Sequence, residues 1–191
     1  MALISAKTII TSLSLFHVML GYFFLTNPGT LADQAIVFML GEAMGMPYER
    51  AFGAQSGPLA FLAVVIAFWG LTDLVSLSLP EEVCLINHWG TQAPLRFLIS
   101  LLLLGYTFLL SSSSPFYRDE GRGWMAAPTV GYSSNYAPSG WGGDGLKNRV
   151  FFVFIFVEMI SWLWVWVTLK EETREILLKK AKRRASFTYG R

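Results

Sequence analysis

The sequence predicts an all-α, polytopic membrane protein of about four transmembrane helices, with a lumenal amphipathic helix and a cytosolic helical extension. Hydrophobic residues make up 53% of the 191-residue chain and charged residues only 15%, whereas soluble domains carry about 25% charged residues. Four apolar runs are each long enough to cross a bilayer, which takes about 20 helical residues. The basic residues are concentrated after the last of these runs.

Each of the first three apolar runs ends at residues that break a helix. The first run is followed by Asn27-Pro28-Gly29, the second by Pro80 and two glutamates, and the third by four serines. A spanning backbone has no water to satisfy its amides, so we expect every run to be helical. The predicted spans are 4–25, 57–79, 94–110 and 150–169.

The first run has a second interpretation, as a cleaved signal peptide. Its apolar stretch exceeds the usual length of about 7–15 residues, and no clear small-x-small cleavage motif follows it. Lys7 is its only early charge. We therefore favour a retained transmembrane helix.

The uneven distribution of charge predicts the orientation. From Lys170 onward there are eight basic and three acidic residues, whereas the rest of the chain is net negative. Short basic segments beside a transmembrane helix stay in the cytosol, so this tail and, after four crossings, the N-terminus are expected there. The loops at 26–56 and 111–149 are then lumenal. Cations in the tail attract anionic headgroups, and the predicted membrane-surface residues are Lys179, Lys180, Lys182, Arg183 and Arg184.

The segments outside the spans differ in character. Apolar residues recur at near-helical spacing over 30–45, which predicts an amphipathic helix that lies in the interface or caps the bundle. The segment 111–149 is rich in Gly, Ser, Pro and Tyr and is expected to be a flexible insert. The fourth helix is expected to continue past Leu169. Residues 1–184 are predicted to form a single bundle and residues 185–191 a disordered tail.

Two ionisable residues are placed to meet between neighbouring spans. Asp73 lies six residues before the end of the second span, and Arg96 lies two residues into the third. A short turn joins these spans, so they are antiparallel neighbours. Charged residues within spans usually pair with one another. We expect an intramembrane Asp73–Arg96 pair, either as a purely structural contact or as part of a site.

Glu158 lies near the middle of the fourth span, too deep for its side chain to reach the interface. It must be protonated, paired or facing a polar cavity. His17 lies at a comparable depth in the first span, so a His17–Glu158 contact is geometrically allowed. Three interpretations stay open: a structural hydrogen bond, a site for a lipid or a partner, and an acid–base pair.

The sequence contains no recognisable catalytic set. No Ser-His-Asp arrangement, phosphate-binding glycine loop or HExxH motif is present, and no Cys/His cluster has metal-ligand spacing. We therefore predict no catalytic residue, metal or cofactor, and an enzyme is the less favoured interpretation. The spans lack the rows of polar residues that line a channel. A basic tail can bind nucleic acid, but this one continues directly from an apolar helix, so no nucleic-acid partner is expected.

Three segments carry a family resemblance: GPLAFLAVVIAFWGLTDL in the second span, APLRFLISLLLLGYTFL in the third and NRVFFVFIFVEMISWLWVWVTLKEETRE in the fourth. In order and spacing they resemble the fungal increased loss of mitochondrial DNA protein family. The resemblance implies a small four-helix protein of the endoplasmic reticulum membrane. Asp73, Arg96 and Glu158 match its polar positions, to which the resemblance assigns no role. The insert near 112–147 departs from the compact family pattern.

Two functions follow from the residues and the resemblance together. The favoured one is a non-catalytic subunit or adaptor of a larger complex in the endoplasmic reticulum membrane, acting in lipid supply or transfer and affecting mitochondrial DNA indirectly. Its partners would be a larger membrane protein and a phospholipid or sterol. The alternative is a lipid- or sterol-binding, enzyme-like bundle with Glu158, His17 and Asp73 in an intramembrane pocket, by fold-level analogy to sterol isomerases. A closed hydrophobic cavity on which Glu158 and His17 converge would favour this alternative.

Overall fold

The computed structural model describes residues 4–80, 83–109 and 142–189, and all regular secondary structure within these ranges is helical. These described ranges contain six α-helices: α1 (Ala6–Thr26), α2 (Pro28–Ala32), α3 (Ala35–Ala43), α4 (Gly57–Ser76), α5 (Gly90–Leu109) and α6 (Arg149–Tyr189). Shorter helical turns lie at Arg50–Gly53, Val83–Trp89 and Gly142–Leu146. Four helical stretches of the described chain are long and apolar enough to cross a membrane. The predicted all-α, polytopic membrane fold is confirmed.

The first two spans lie close to their predicted positions because the sequence provides their start and stop signals. The hydroxyls of Ser5 and Ser56 accept hydrogen bonds from amides in the first turns of α1 and α4, which otherwise lack partners. α1 ends at Thr26, and its C-cap residue Asn27 directly precedes the proline that begins α2. α4 ends at Ser76, four residues before Pro80.

The third span begins earlier than the predicted start at residue 94. α5 starts at Gly90, and a π-helical turn over Val83–Trp89 precedes it, so the helical path covers 83–109. Pro94 is the fifth residue of α5, where it removes only the hydrogen bond to the carbonyl of Gly90. Before Gly90, the backbone is helical in the π-helical turn. Arg96 therefore lies six residues inside α5.

The fourth span and its extension form one continuous helix of 41 residues. Its described backbone stays helical through Tyr189, five residues into the tail that the sequence predicts to be disordered. Lysine, arginine and alanine, all good helix formers, fill residues 179–185, and no glycine or proline interrupts the helix before Gly190. Most of the predicted insert, residues 110–141, lies outside the described residues.

The predicted amphipathic helix at 30–45 is divided into α2 and α3. α3 packs against α6, and Val37 and Met46 are buried in that contact. Gly45 has a φ of 64°, a backbone conformation that glycine adopts without strain, and it turns the chain after α3. This segment caps the bundle, which is one of its two predicted placements. We call this end of the bundle the loop end, and we call the opposite end, where α1 begins and α6 leaves the bundle, the basic end.

The four long helices form two antiparallel pairs. α1 packs along α4 and α5 packs along α6, and α1 also contacts α6 and so joins the pairs. The α1–α4 contact is very close: a Cβ atom on Gly70 would lie 2.6 Å from the carbonyl oxygen of Ser14, and one on Gly21 would lie 2.7 Å from that of Ala63. Small residues permit such close packing inside a membrane. α4 and α5 have different packing partners, and a space remains between them.

Candidate functional site

An apolar cleft lies between α4 and α5, and α1 and α6 form its floor. Its volume is about 450 Å³, within the range of about 300–1,000 Å³ that is usual for small-molecule sites. Rim residues on both sides, including Val65, Trp69, Leu95 and Ile99, are about half exposed. Because α4 and α5 are both long enough to span a membrane, this opening faces the hydrocarbon of a bilayer.

Glu158 and His17 meet at the floor of the cleft. His17 Nε2 lies 2.7 Å from Glu158 Oε1, and the indole N–H of Trp162 donates to Glu158 Oε2, also at 2.7 Å. The histidine is 4% exposed and the glutamate 8%. Both carboxylate oxygens are therefore engaged by the protein. The other ring nitrogen of His17, Nδ1, is buried and has no hydrogen-bond partner among the described residues.

One helical turn closer to the basic end, Arg96 lines the cleft and pairs with Asp73. Its two terminal nitrogens donate to the two carboxylate oxygens at 2.6 and 2.9 Å. The guanidinium also lies 4.7–5.3 Å from the ring centroids of Trp69, Trp89 and Trp162. A planar guanidinium suits this position because its edge matches a carboxylate while its faces stack on aromatic rings. The predicted pair is present, and aromatic rings surround its cation.

Ser100 adds a hydroxyl that the sequence analysis did not single out. It lines the cleft, is only 5% exposed and forms no hydrogen bond with another described residue. Arg96 on α5 lies against Trp162 on α6, and the two helices are antiparallel. Ser100 follows Arg96 by four residues and Glu158 precedes Trp162 by four residues. Both steps lead about 6 Å toward the loop end, so Ser100 lies level with Glu158. Gln92 lies one turn from Arg96 in the other direction and also lines the cleft. In the sequence, the four-residue spacing from Gln92 to Arg96 to Ser100 indicates that these side chains share one face of α5.

The remainder of the cleft, toward the loop end, is apolar. Its walls include Phe24, Leu62, Ile66, Leu103 and Phe154. The lining of α6 extends from Val150 to Trp162, a rise of twelve residues, so the cleft is about 18 Å long. The cleft is therefore amphiphilic along its length, with polar groups near its middle and basic end and hydrocarbon walls beyond.

The predicted surface cations lie away from this cleft. Lys179, Lys180 and Lys182 are exposed on α6 beyond the bundle. The side chains of Arg183 and Arg184 lie outside the described part of the chain. The residues predicted as sites therefore separate into one intramembrane group and one surface group.

An ion pair that the sequence did not reveal joins Arg149 to Glu42 at the loop end. Arg149 also donates from Nε to the carbonyl of Met46 at 2.7 Å. These contacts fix α3 against the start of α6. The paired positions are 107 residues apart, and no local pattern could predict their contact.

Both carboxylates at the cleft are hydrogen-bonded within the protein. Asp73 and Glu158 both have their oxygens occupied, so neither is a free acid or base at the cleft surface. Within the described ranges, no group of three or more His, Cys, Asp or Glu side chains could hold a metal ion. What the cleft offers a ligand is a long apolar wall, a few uncharged polar groups and one paired cation.

The comparisons with known proteins identify the family. No curated protein and no solved structure matches this chain at a significant level. A family sequence profile matches residues 4–179, which include all four long apolar stretches. Its description links the family to mitochondrial DNA maintenance, and the match agrees with the resemblance carried by the three apolar segments. The chain belongs to the Ilm1 family, increased loss of mitochondrial DNA protein 1.

Proposed function

We propose that this protein is a non-catalytic, lipid-binding protein of the endoplasmic reticulum membrane. The observation that carries the proposal is the cleft between α4 and α5, on which Glu158 and His17 converge. Because this cleft opens to the side and is not a closed cavity, it supports the lipid binding of the alternative without its enzyme-like site. A lipid bound there keeps its hydrocarbon against apolar walls and its polar group beside Ser100 and Arg96. Binding in lipid supply or transfer makes the link to mitochondrial DNA indirect, through the membranes that receive the lipid.

The position of the opening supports a lipid as the ligand. A ligand that entered from water would need a path through one end of the bundle, whereas this cleft opens sideways between two long apolar helices. An apolar molecule already dissolved in the bilayer reaches it without crossing water. When this molecule binds, the apolar walls lose their contacts with surrounding acyl chains and gain similar contacts with the ligand. Selectivity among lipids therefore depends on van der Waals fit and on the polar groups of the cleft.

Binding without catalysis is supported by the engagement of both carboxylates and by the burial of Nδ1, the unbonded ring nitrogen of His17. General acid–base chemistry needs a side chain within hydrogen-bond reach of the reacting atom. Here the oxygens of Glu158 contact His17 and Trp162, and those of Asp73 contact Arg96. We therefore propose that these pairs shape and polarise the end of the cleft.

The test is to fill the cleft and measure the bound lipid. Leu103→Trp places an indole in the cleft, and Leu102→Trp places one on the adjacent outward position, where the native residue is 72% exposed. Both proteins are purified in mild detergent and their lipids are quantified by mass spectrometry. We expect a stoichiometric lipid with the wild type and the Leu102→Trp control, and a background level with Leu103→Trp. Equal lipid recovery from all three would contradict the proposal.

A second candidate function, as an adaptor subunit, is favoured by the extension of α6. Leu177 and Leu178 are more than half exposed on this helix, beside exposed cations. A helix with apolar and basic side chains outside the bundle is suited to contact a membrane surface or a larger membrane protein. This function is compatible with lipid binding, because the extension and the cleft lie in different parts of the molecule.

The adaptor function is tested by changing the apolar side chains of the extension. Leu177→Ser combined with Leu178→Ser should remove a co-purifying protein partner that the wild type and a Glu171→Ser control retain. Lipid recovery should be unchanged, because neither leucine lines the cleft. A partner that stays bound to the double variant would contradict this second function.

A further inference from the structure

We infer that the cleft selects an uncharged lipid whose polar head is a hydroxyl, the chemistry shared by sterols and diacylglycerols. The inference rests on the proposed function and adds the class of ligand. It follows from which polar groups at the cleft are already occupied and which are free.

An anionic head finds no unpaired positive charge at the cleft. Arg96 is the permanent cation in the lining, and both of its terminal nitrogens donate to Asp73. His17 is not a free partner for an anion either, because its Nε2 is hydrogen-bonded to Glu158. A phosphate or carboxylate in this low-dielectric position would therefore be a buried charge without a counter-ion, which is strongly unfavourable.

A cationic head also lacks a free partner. Trp162 and His17 occupy the two oxygens of Glu158. The two tryptophan rings that line the cleft, Trp69 and Trp162, bind cations better than phenylalanine rings do, and both already lie against the guanidinium of Arg96. A second cation there would be repelled by Arg96. Zwitterionic phospholipid heads combine both difficulties and are also bulkier.

The free polar groups are those that match a hydroxyl. Ser100 presents a hydroxyl with no described partner, level with Glu158, and it can both donate and accept. The side-chain amide of Gln92 lies at the more polar end of the same cleft. Nδ1 of His17 also has no described partner, but this atom is buried beneath the surface of the cleft, so the head meets the hydroxyl of Ser100 and not this nitrogen. A hydroxyl beside Ser100 has one donor and two acceptor sites and can both donate to and accept from this serine. Gln92 lies eight residues away, about 12 Å along α5, and offers its amide at the other end of the polar stretch.

The depth of these groups supports an uncharged head. Glu158 lies nine residues after the start of α6, about 13 Å along the helix axis, so Ser100 and His17 lie near the middle of a bilayer of about 30 Å. A charged head is expensive at that depth. A single hydroxyl is far less so, and from there the apolar wall extends toward the loop end for the rest of the molecule.

The experiment uses photoactivatable lipids with the full-length protein in phosphatidylcholine nanodiscs. Four probes are compared at equal concentration: a sterol, a diacylglycerol, palmitic acid and phosphatidic acid. We expect the sterol or the diacylglycerol to label the wild type at least about tenfold more than either acidic probe. The two uncharged probes distinguish a fused-ring body from acyl chains. Labelling must fall to background in Leu103→Trp and persist in Leu102→Trp.

Two variants test the physical reason for the selectivity. Asp73→Asn removes the counter-ion of Arg96, so labelling by phosphatidic acid should rise several-fold, whereas Glu42→Gln, which alters the ion pair at the loop end, should change nothing. Ser100→Ala should weaken labelling by the uncharged probe about fivefold to tenfold, the loss of one hydrogen bond. Thr91→Ala removes an exposed hydroxyl from the same helix, where it bonds only to the helix backbone, and is the matched control.

The outcomes separate the inference from the proposed function. One outcome is that palmitic or phosphatidic acid labels the protein as strongly as the uncharged probes do, and that this labelling is lost in Leu103→Trp. This outcome would overturn the selectivity for uncharged lipids and leave lipid binding intact. Unchanged selectivity in Asp73→Asn, with Ser100→Ala binding like wild type, would also overturn it. If no probe labels the cleft in a Leu103-dependent way, the proposed function fails together with the inference.

Discussion

Glu158 is held by two hydrogen bonds from different helices. His17 approaches from α1 and Trp162 from the next turn of α6. In the bilayer interior each of these polar groups needs a partner, because water is absent. The glutamate therefore connects α1 to α6 at the floor of the cleft, and its removal leaves a histidine nitrogen and an indole N–H without partners.

This arrangement predicts different effects of two substitutions at Glu158. Glu158→Gln keeps a donor and an acceptor, so we expect a loss of stability below about 1 kcal/mol. Glu158→Ala leaves the two buried partners unsatisfied and should cost about 1–3 kcal/mol. Thermal unfolding of the purified proteins in detergent measures the difference. Equal destabilisation by both variants would indicate that the carboxylate charge, and not hydrogen bonding, stabilises this contact.

At the scale of residues, depth within a span predicted which ionisable groups meet. Counting from span ends placed His17 level with Glu158 and Asp73 near Arg96, and these are the contacts in the structure. The same counting could not find Trp162 or Ser100. Neither is ionisable, and which face of a helix they occupy depends on packing against helices far away in the sequence.

At the scale of elements, the contact between α1 and α4 depends on two glycines. Gly70 lies against the backbone of Ser14, and Gly21 against that of Ala63. The glycine spacing that stands out in the sequence lies elsewhere, at Gly41–Gly45 and Gly53–Gly57. Neither pair lies within one helix, because Gly45 follows α3 and Gly53 precedes α4. Close helix approach in a membrane comes from small residues on two different helices, so glycine spacing along the chain is a weak guide to it.

A methyl group at Gly70 should separate these helices. Its Cβ would lie 2.6 Å from a backbone oxygen that has no freedom to move, and overpacking of this kind costs about 1–3 kcal/mol. Gly105→Ala is the matched control within α5, because nothing lies within 4 Å of the added atom. We expect a lower unfolding temperature for Gly70→Ala and an unchanged or higher one for Gly105→Ala, since alanine favours helix. The opposite order would contradict the close α1–α4 contact.

Element boundaries were predictable where capping residues mark them and not where the backbone changes its helical type. Ser5 and Ser56 start their helices close to the expected positions. The third span differs because Pro94 marks a helix start by local rules, while the π-helical turn over Val83–Trp89 continues the helix upstream. A π-helical turn has no sequence signature comparable to a cap.

At the scale of the whole molecule, the cleft results from how the two helix pairs meet. α1 joins the pairs by contacting α6, whereas α4 and α5 are connected across the cleft by the Asp73–Arg96 pair at its more polar end. The sequence predicted four spans and this ion pair. It could not predict the space between α4 and α5, because that space depends on the packing of all four helices.

The orientation of the whole molecule in the membrane is testable from its two ends. α1 begins and α6 leaves the bundle at the same end, as Glu172 shows by accepting the amide N–H of Ala6 at 2.9 Å. The excess of cations there predicts that this end faces the cytosol. In intact microsomes, protease should therefore remove tags from both termini without detergent.

A cysteine at the loop end reports the opposite side of the membrane. Gly53→Cys is suited to this because a side chain at residue 53 meets nothing within 4 Å, and the one native cysteine, Cys84, is buried. A membrane-impermeant maleimide should label this variant only after permeabilisation. Labelling in intact microsomes together with protected tags would show the inverted orientation, and tags on opposite sides would contradict four crossings. In the inverted orientation the cations of α6 would lie in the lumen, where they cannot attract the anionic lipids of a cytoplasmic leaflet.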